Sequence, residues 1–259
     1  MNTKLLFYKY HGAGNDFIII NNLNNKIVIN ELIIQKLCHR RFGIGADGLI
    51  LLSKSIDYTF KMDFFNSDGS SGIMCGNGAR CLASFALETL ELDSKEKHYF
   101  ETIDGVHELT FNTESISISM HFDSIIKKEE DFYISQSKSA PHAVVFVENT
   151  ANFDVYNIGK KIRERYDVNV NFITVNPKTK IITARTFERG VEDETLACGT
   201  GAVSIAMVLY KKDILKQTNY TIQMPGGTLT VSFDAANGTI KNIKLTGEAK
   251  KVFKGEFYL

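Results

Sequence analysis

Two cysteines stand in nearly the same five-residue setting. Cys75-Gly-Asn-Gly-Ala recurs as Cys198-Gly-Thr-Gly-Ala, with one copy in each half of a chain of 259 residues, and an apolar run typical of a buried helix follows each copy. A thiol at a helix start meets unpartnered N–H groups and a partial positive charge, which lower its pKa from about 8.5 toward neutrality. Such a thiol can act as a base when ionised and as an acid when protonated.

The duplication indicates a pair of thiols that act together. A single buried cysteine at a helix start is usually a small hydrophobic residue, but two copies in one context favour chemistry. Inversion of a stereocentre needs such a pair, because one face of the carbon loses a proton and the other gains one. The glycines let the backbone approach a ligand, and the helix-start N–H groups can hold a carboxylate. The motif therefore predicts acid/base chemistry on an amino acid.

Composition excludes several other classes. Thirty basic residues balance thirty acidic ones, so nothing favours nucleic acid or an anionic membrane as a partner. The longest apolar runs are too short to span a bilayer, and the N-terminal residues lack a signal-peptide core, so we expect a cytoplasmic protein. The cysteines form no C-x-x-C pair and no zinc-like spacing with histidine, so we expect no metal site and no disulfides.

Other polar residues are ambiguous when taken singly. Asn15, in a glycine-rich turn, fits either a hairpin or a ligand contact. Glu188 and Arg189 fit either a surface ion pair or ligands for an ammonium and a carboxylate group. His142 before a strand is more often structural, and Asn66 and Asn169 are ordinary turn or strand-end residues.

One glycine motif is rejected as a nucleotide site. Residues 43–48 match G-x-G-x-x-G, a fingerprint that needs a strand before it and a helix after it. Here a helix capped by Asn30 comes before and the strand-like run Leu49–Leu52 comes after.

The remaining pattern predicts a β-rich chain in two similar halves. Each half carries several short strands and one nearly all-apolar helix, which must be enclosed. Strands packed around a central helix, twice, would do that. The polar segment Asp123–Ser139 predicts either a domain boundary or a solvated loop.

Blocks of residues along nearly the whole chain resemble the diaminopimelate epimerase family. The blocks are His11-Gly-Ala-Gly-Asn-Asp-Phe17, Arg41-Phe-Gly-Ile-Gly-Ala-Asp-Gly48, Phe65-Asn-Ser-Asp-Gly69, Met74-Cys-Gly-Asn-Gly-Ala-Arg-Cys81, Pro141-His142, Asn169-Val-Asn-Phe172, Phe187-Glu-Arg-Gly190, Ala197-Cys-Gly-Thr-Gly-Ala202, Pro225-Gly-Gly227 and Thr246-Gly-Glu-Ala249. Their order and spacing are far more specific than any single motif.

The resemblance implies a fold and an activity. The fold is α/β (α+β), with two similar domains, each a β-barrel-like sheet around a central helix, and the active site in the interdomain cleft. The domains would be residues 1–122 and 123–251, with residues 252–259 returning to the first. The activity would be cofactor-free conversion of LL-2,6-diaminopimelate to the meso form, for lysine and peptidoglycan synthesis, in a cytoplasmic homodimer.

The resemblance also implies roles for individual residues. Cys75 and Cys198 would be the proton donor and acceptor, with His142 and Glu188 tuning them. The substrate would be held by residues of both halves: Asn15, Asn66, Gly76, Asn77, Asn169, Glu188, Arg189, Gly199 and Thr200. Gly48 departs from the family, since many members have Gln there to contact the distal end of the substrate. Ala140 also departs, since many members have Asn or Ser there.

Three alternatives remain open. The first is a proline or hydroxyproline racemase-type enzyme, whose substrate lacks the second amino-acid head that Glu188, Arg189 and the asparagines suit. The second is a thiol-redox protein, against which the glycine-flanked duplicates and the missing C-x-x-C pair stand. The third is a non-catalytic amino-acid-binding protein, against which only the paired thiols argue.

Overall fold

The chain forms two compact units of mixed α and β structure. A computed structural model describes residues 4–122, 125–136 and 140–259. One unit, here unit 1, comprises the residues up to Ile118 together with Gly247–Leu259, and unit 2 comprises Ser119–Thr246. The predicted boundary at residue 123 lies outside the described residues and stays a prediction.

Strands outnumber helices in both units. In chain order the elements are β1 (Lys4–Gly12), β2 (Asn15–Asn22), α1 (Glu31–Cys38), β3 (Gly48–Ser53), β4 (Phe60–Asn66), α2 (Gly76–Thr89), β5 (His98–Thr102), β6 (Gly105–Phe111), β7 (Ile116–Ser119), β8 (Ile125–Glu129), β9 (Phe132–Gln136), β10 (His142–Phe146), α3 (Val155–Tyr166), β11 (Asn169–Val175), β12 (Ile182–Glu188), β13 (Asp193–Thr195), α4 (Gly199–Lys211), β14 (Asn219–Met224), β15 (Gly227–Ala236), β16 (Thr239–Gly247) and β17 (Lys250–Tyr258).

The two units share one strand topology. In unit 1 the strands run in the order β17-β1-β2-β3-β4-β5-β6-β7, parallel at β2/β3 and β4/β5 and antiparallel at the other pairs. In unit 2 the order is β8-β9-β10-β11-β12-β14-β15-β16, parallel at β10/β11 and β12/β14 and antiparallel elsewhere. The succession of pairings is the same in both units, so the prediction of two similar domains is confirmed.

A buried helix lies against the strands of each unit. Helix α2 packs on β1, β2, β3, β4 and β17, and α4 packs on β9, β10, β11 and β15. Close packing needs small side chains at the contacts: a Cβ on Gly78 of α2 would lie 2.9 Å from Ile50 Cδ1 and 3.4 Å from the Phe17 ring. The prediction of strands packed around one central helix per half is therefore confirmed.

A second helix covers the other face of each set of strands. Asn30 caps α1, as predicted, by accepting a hydrogen bond from the Ile33 N–H at 2.9 Å. Asp154 caps α3 in the same way through the Asn157 N–H at 3.1 Å. Only Val155 and Gly159 of α3 are fully buried, so the helix has a weak apolar signal and the sequence did not predict it.

The polar segment between the halves is partly a β-hairpin. Residues 125–136 form the antiparallel pair β8 and β9, where a linker or loop was predicted. Phe132 and Ile134 of β9 point into a buried cluster with Val155 and Phe172. These apolar side chains pack the strand against the core of unit 2. The strand was not predicted because charged residues surround them in the sequence.

The rejected glycine motif is a turn between a helix and a strand. Helix α1 precedes it and strand β3 follows, as expected. A Cβ on Gly43 would collide with the carbonyl oxygen of Lys36, and Gly45 has φ +80°, which L side chains rarely adopt. The glycines are required by the backbone of this turn.

Candidate active site

The two motif cysteines occupy equivalent positions at helix starts. Cys75 is the N-cap of α2, with φ −120° and ψ 115°, and Cys198 is the N-cap of α4, with φ −122° and ψ 112°. In each case the cysteine carbonyl accepts the first helical hydrogen bond, from Ala79 N at 2.8 Å and from Ala202 N at 3.0 Å. Each sulfur therefore lies beside the positive end of a long buried helix.

The other two cysteines have different surroundings. Burial raises the pKa of the Cys38 thiol to about 12 and also raises that of Cys81, which has no exposed surface. These two side chains remain protonated at neutral pH and serve as core residues. Only the duplicated cysteines are placed for acid/base chemistry.

In unit 1 the first residue of β2 contacts Cys75. The Cys75 thiol donates to Asn15 Oδ1 at 3.6 Å, and Asn77 Nδ2 donates to the same oxygen at 3.3 Å. Asn15 Nδ2 in turn donates to Asp47 Oδ2 at 2.7 Å. The structure thus brings together three predicted site residues and adds Asp47, which sequence reasoning had not singled out.

An ion cluster holds Asn15 and its strand in place. Arg40 donates to Asp47 at 2.6 Å and to Asp16 at 2.8 Å, and Lys9 donates to Asp16 at 2.6 Å. Burial would raise the pKa of Asp16, but the hydrogen bonds from Arg40 and Lys9 outweigh it and hold that pKa well below its usual range. The Asp16 carboxylate is therefore charged at neutral and mildly acidic pH.

In unit 2 a buried histidine is connected to Cys198 through the hydroxyl group of Thr200. Asn171 Nδ2 donates to His142 Nδ1 at 3.1 Å, so the ring proton is on Nε2, which donates to Thr200 Oγ1 at 3.0 Å. Thr200 Oγ1 lies 3.5 Å from Cys198 Sγ, to which its hydroxyl can donate. Complete burial, helped by the charge of Arg189, lowers the pKa of His142 to about 3. The relay to Cys198 is therefore neutral.

The remaining predicted residues of unit 2 lie beside this relay. Asn169 Oδ1 accepts from the Arg189 backbone N–H at 3.0 Å, and its Nδ2 donates to Pro141 O at 3.1 Å. The Arg189 guanidinium donates to Asp167 at 2.9 Å, in a pair whose side chains are 31% and 69% exposed. Glu188 accepts from the Thr195 hydroxyl at 2.8 Å.

Asn66 is an exposed residue at the end of β4. Its side chain donates to Ser70 Oγ at 3.0 Å. Opposite it in the ladder is Gly48, where a Cβ would lie 2.7 Å from the carbonyl oxygen of Phe65 and 2.8 Å from the Phe64 ring. The Phe64 ring fills the space that a longer side chain at position 48 would need.

The site residues occupy corresponding ends of the strands in each unit. Asn15 begins β2 and His142 begins β10, whereas Asn66 ends β4 and Glu188 ends β12. A cysteine-capped helix follows β4 directly in unit 1 and follows β12 after the short strand β13 in unit 2. Each unit therefore presents, at one end of its own sheet, a thiol beside polar side chains of neighbouring strands.

Comparison with known proteins identifies the family. The sequence profile described as diaminopimelate epimerase matches residues 7–123 and 134–252. The chain belongs to the diaminopimelate epimerase family. It is an enzyme of the isomerase class, and the family predicted from the sequence blocks is confirmed.

Named relatives are similar over almost their entire length. The diaminopimelate epimerase of Flavobacterium psychrophilum is 45% identical over 254 residues, which cover 95% of this chain and 98% of that protein. The diaminopimelate epimerase of Aquifex aeolicus is 37% identical, with 96% of each chain covered.

Solved structures of low sequence identity share the fold. A hydroxyproline epimerase from Agrobacterium vitis superposes with a TM-score of 0.70 at 13% identity, over 100% of this chain and 94% of that one. A phenazine biosynthesis protein from Bacillus anthracis superposes with a TM-score of 0.71 at 18% identity, over 99% of this chain and 100% of that one. The fold of this chain is therefore shared with proteins of different names.

Neither a metal-ligand cluster nor a membrane-spanning helix occurs among the residues that the structure describes. Residues 4–122, 125–136 and 140–259 contain no group of three or more His, Cys, Asp or Glu side chains that could hold a metal ion. Within the same ranges no helix is long and apolar enough to cross a membrane.

Proposed function

We propose that this chain converts LL-2,6-diaminopimelate to meso-diaminopimelate, with Cys75 and Cys198 as the two acid/base groups. The observation that carries the proposal is the equivalent placement of the two thiols, each at the N-cap of a buried helix with nearly the same backbone dihedral angles. The product would feed lysine and peptidoglycan synthesis.

The proposed reaction is a proton exchange at one α-carbon. One thiolate takes the α-proton, and the electron pair of the broken C–H bond is left on the carbon and its carboxylate. The other thiol donates its proton to the opposite face, so a new C–H bond replaces the old one with inverted configuration. The enzyme is left with its two sulfurs in exchanged protonation states. The step balances without an electron acceptor, so we propose that no cofactor takes part.

Backbone amides and amide side chains would hold the reacting end of the substrate. The N–H groups at the two helix starts, in Gly76-Asn77 and Gly199-Thr200, suit a carboxylate. Asn15 lies within hydrogen-bond reach of the Cys75 thiol, so it can orient both that sulfur and the substrate. His142 acts on Cys198 through Thr200, and because His142 is neutral it can donate without adding a full charge.

The second amino-acid head would bind at the strand ends. Glu188 suits the ammonium group and Arg189 the carboxylate, with Asn66 and Asn169 as further hydrogen-bonding groups. An exposed ion pair contributes only about 0–1 kcal/mol, so the guanidinium of Arg189 can exchange Asp167 for a substrate carboxylate at little cost. Glu188 would also contribute to tuning the thiols.

The test uses single cysteine variants. Cys75→Ala and Cys198→Ala should each lower epimerisation of LL-diaminopimelate by about 10²–10⁴-fold, the usual contribution of a general acid or base. The assay runs in heavy water after exhaustive dialysis, and chiral chromatography with mass spectrometry measures the meso product and its α-deuterium. Cys38→Ala is the matched control, and we expect it to keep wild-type turnover. Near wild-type turnover in either of the first two variants would refute the two-thiol mechanism.

We further propose that the protein is a cytoplasmic homodimer without nucleic-acid or membrane partners. Exposed apolar side chains on the paired strands β1 and β17 support association, namely Leu6, Val252, Phe253 and Tyr258. Sedimentation equilibrium of the wild type and of Phe253→Ser tests it, with a monomeric wild type counting against a dimer. Subcellular fractionation tests the location.

A further inference from the structure

We propose that Arg80 is a positioning residue for Cys75, holding the start of α2 so that Asn77 keeps Asn15 in place beside the Cys75 sulfur. This inference rests on the proposed role of Cys75 as an acid/base group. Arg80 lies inside a sequence block that identified the family, but nothing in the spacing of that block indicated what the residue does.

Arg80 turns back toward the start of its own helix. The side chain has no exposed surface. Nη1 donates to the Gly76 carbonyl at 3.1 Å, and Nη2 donates to Asn77 Oδ1 at 2.7 Å. The two donations form a fork that spans the first turn of α2, next to the N-cap cysteine.

This placement of a cation is unfavourable by itself. Burial lowers the pKa of Arg80 and outweighs the opposing charge of Glu248. No described carboxylate lies within ion-pair distance of Arg80, and its Nε has no hydrogen-bond partner among the described residues. The positive end of a helix favours anions and opposes cations. A buried cation without a carboxylate in direct contact destabilises the folded state. Because the buried Arg80 cation does not add stability, we infer that it contributes to the geometry of the site instead.

The fork connects Arg80 to Cys75 through two amides. Because Arg80 donates to Asn77 Oδ1, the amide of Asn77 is turned so that its Nδ2 donates to Asn15 Oδ1 at 3.3 Å. The Cys75 thiol donates to that same oxygen at 3.6 Å. The Arg80 charge also interacts with the Cys75 sulfur, where it favours a thiolate.

The second motif has no such group. Arg80 is the fifth residue after Cys75, and the fifth residue after Cys198 is Val203, which is buried and apolar. There the residue that matches Asn77 is Thr200, which His142 holds instead. A permanent cation supports one thiol and a neutral imidazole supports the other, so loss of Arg80 should affect Cys75 alone.

The experiment measures the reactivity of the two cysteines in one protein. Wild type, Arg80→Met and Arg80→Lys are treated with a small excess of iodoacetamide, and peptide mass spectrometry follows the alkylation of Cys75 and Cys198 separately. Thermal unfolding and turnover are measured on the same samples. Because alkylation needs no substrate, its outcome does not depend on whether diaminopimelate is the substrate.

The expected result is selective. In Arg80→Met the alkylation of Cys75 should slow by about tenfold, the order expected for loss of one charge-assisted hydrogen bond. Cys198 should stay within about twofold of wild type, and kcat should fall while the fold is retained, because replacing a buried charge by an apolar residue of similar volume is often neutral or stabilising. In Arg80→Lys, which keeps the charge but not the fork, Cys75 should recover only in part.

Four results would overturn the proposal. Unchanged alkylation of Cys75 in Arg80→Met would remove the link between the two residues. Equal slowing of Cys75 and Cys198 would indicate general loosening, and full recovery in Arg80→Lys would show that charge suffices without positioning. Loss of cooperative unfolding in both variants would assign Arg80 a structural role. If only Arg80→Met fails to fold, the rates in Arg80→Lys decide the question.

Discussion

Acid should weaken the fold through His142. Its pKa is about 3 in the folded protein, whereas an unfolded histidine has a pKa of about 6.5. The native ring is neutral and buried, so below pH 6.5 the unfolded chain binds a proton at this histidine that the native state does not bind. A group with a lowered native pKa contributes stability above its unfolded pKa, and that stability is lost as the pH falls toward the native pKa.

The size of the effect follows from the two pKa values. Between pH 8 and pH 5 the unfolded state gains nearly one proton at this position, and the native state gains almost none. The free energy of unfolding should therefore fall by about 2 kcal/mol over that interval. Proteins are stable by only about 5–15 kcal/mol, so the loss is measurable. The pKa of Asp16 is held low, so it affects stability only at more acidic pH.

The assay compares the wild type with His142→Gln. Glutamine is neutral at every pH and can still donate to Thr200, so the variant lacks only the titrating group. Urea unfolding followed by circular dichroism at pH 8 and pH 5 gives the change in free energy for each protein, and His142→Gln should lose about 2 kcal/mol less than the wild type. Equal losses in the two proteins, or a His142 ring signal in NMR that titrates near pH 6.5, would refute the reasoning.

Four further outcomes are expected. Gly201→Ala should lower turnover at least tenfold with the fold retained, because the new Cβ would collide with Asn171 Oδ1, and an unchanged kcat would contradict this. Gly159→Ala should lower the unfolding free energy by about 1–3 kcal/mol despite the helix preference of alanine, since its Cβ would lie 2.5 Å from Phe187 Cβ, and a raised melting temperature would contradict it. L-proline should be turned over at least about a hundredfold less efficiently than LL-diaminopimelate, because it lacks the second amino-acid head and charge-assisted hydrogen bonds contribute roughly 1.5–3 kcal/mol each. For the same reason, Arg189→Ala should steeply reduce the turnover of LL-diaminopimelate. Comparable kcat/KM values for the two substrates would favour a proline racemase-type activity.

The features that sequence predicted well are those encoded in short segments. The two cysteine motifs predicted the starts of α2 and α4, because a glycine-rich turn followed by an apolar run is compatible with few structures other than the start of a buried helix. The repetition of the motif predicted two similar units. Helix α3 was missed because only one narrow side of it is buried. The hairpin at residues 125–136 was missed because charges outnumber its apolar anchors.

The polar network around Cys75 could not be derived from spacing. Asp47 reaches Asn15 across a separation of 32 residues, and Arg40 reaches Asp16 across 24. Such contacts depend on which strands are neighbours, and a single sequence carries no signal for that pairing. The same holds for the neutral state of His142, which follows from complete burial and not from residue type.

The pairing of β17 with β1 affects the order in which the protein can be completed during synthesis. Lys4 pairs with Tyr258 at one end of this ladder and His11 with Lys250 at the other, and the Phe7 ring packs on Phe253. Unit 2 lies on one continuous stretch of chain and can fold as soon as that stretch has left the ribosome. Unit 1 must wait for its last strand, so β1 has an open hydrogen-bonding edge throughout the translation of unit 2. The half that carries Cys75 is therefore the part of the nascent chain most exposed to mispairing, and the part that a chaperone or slow translation would protect.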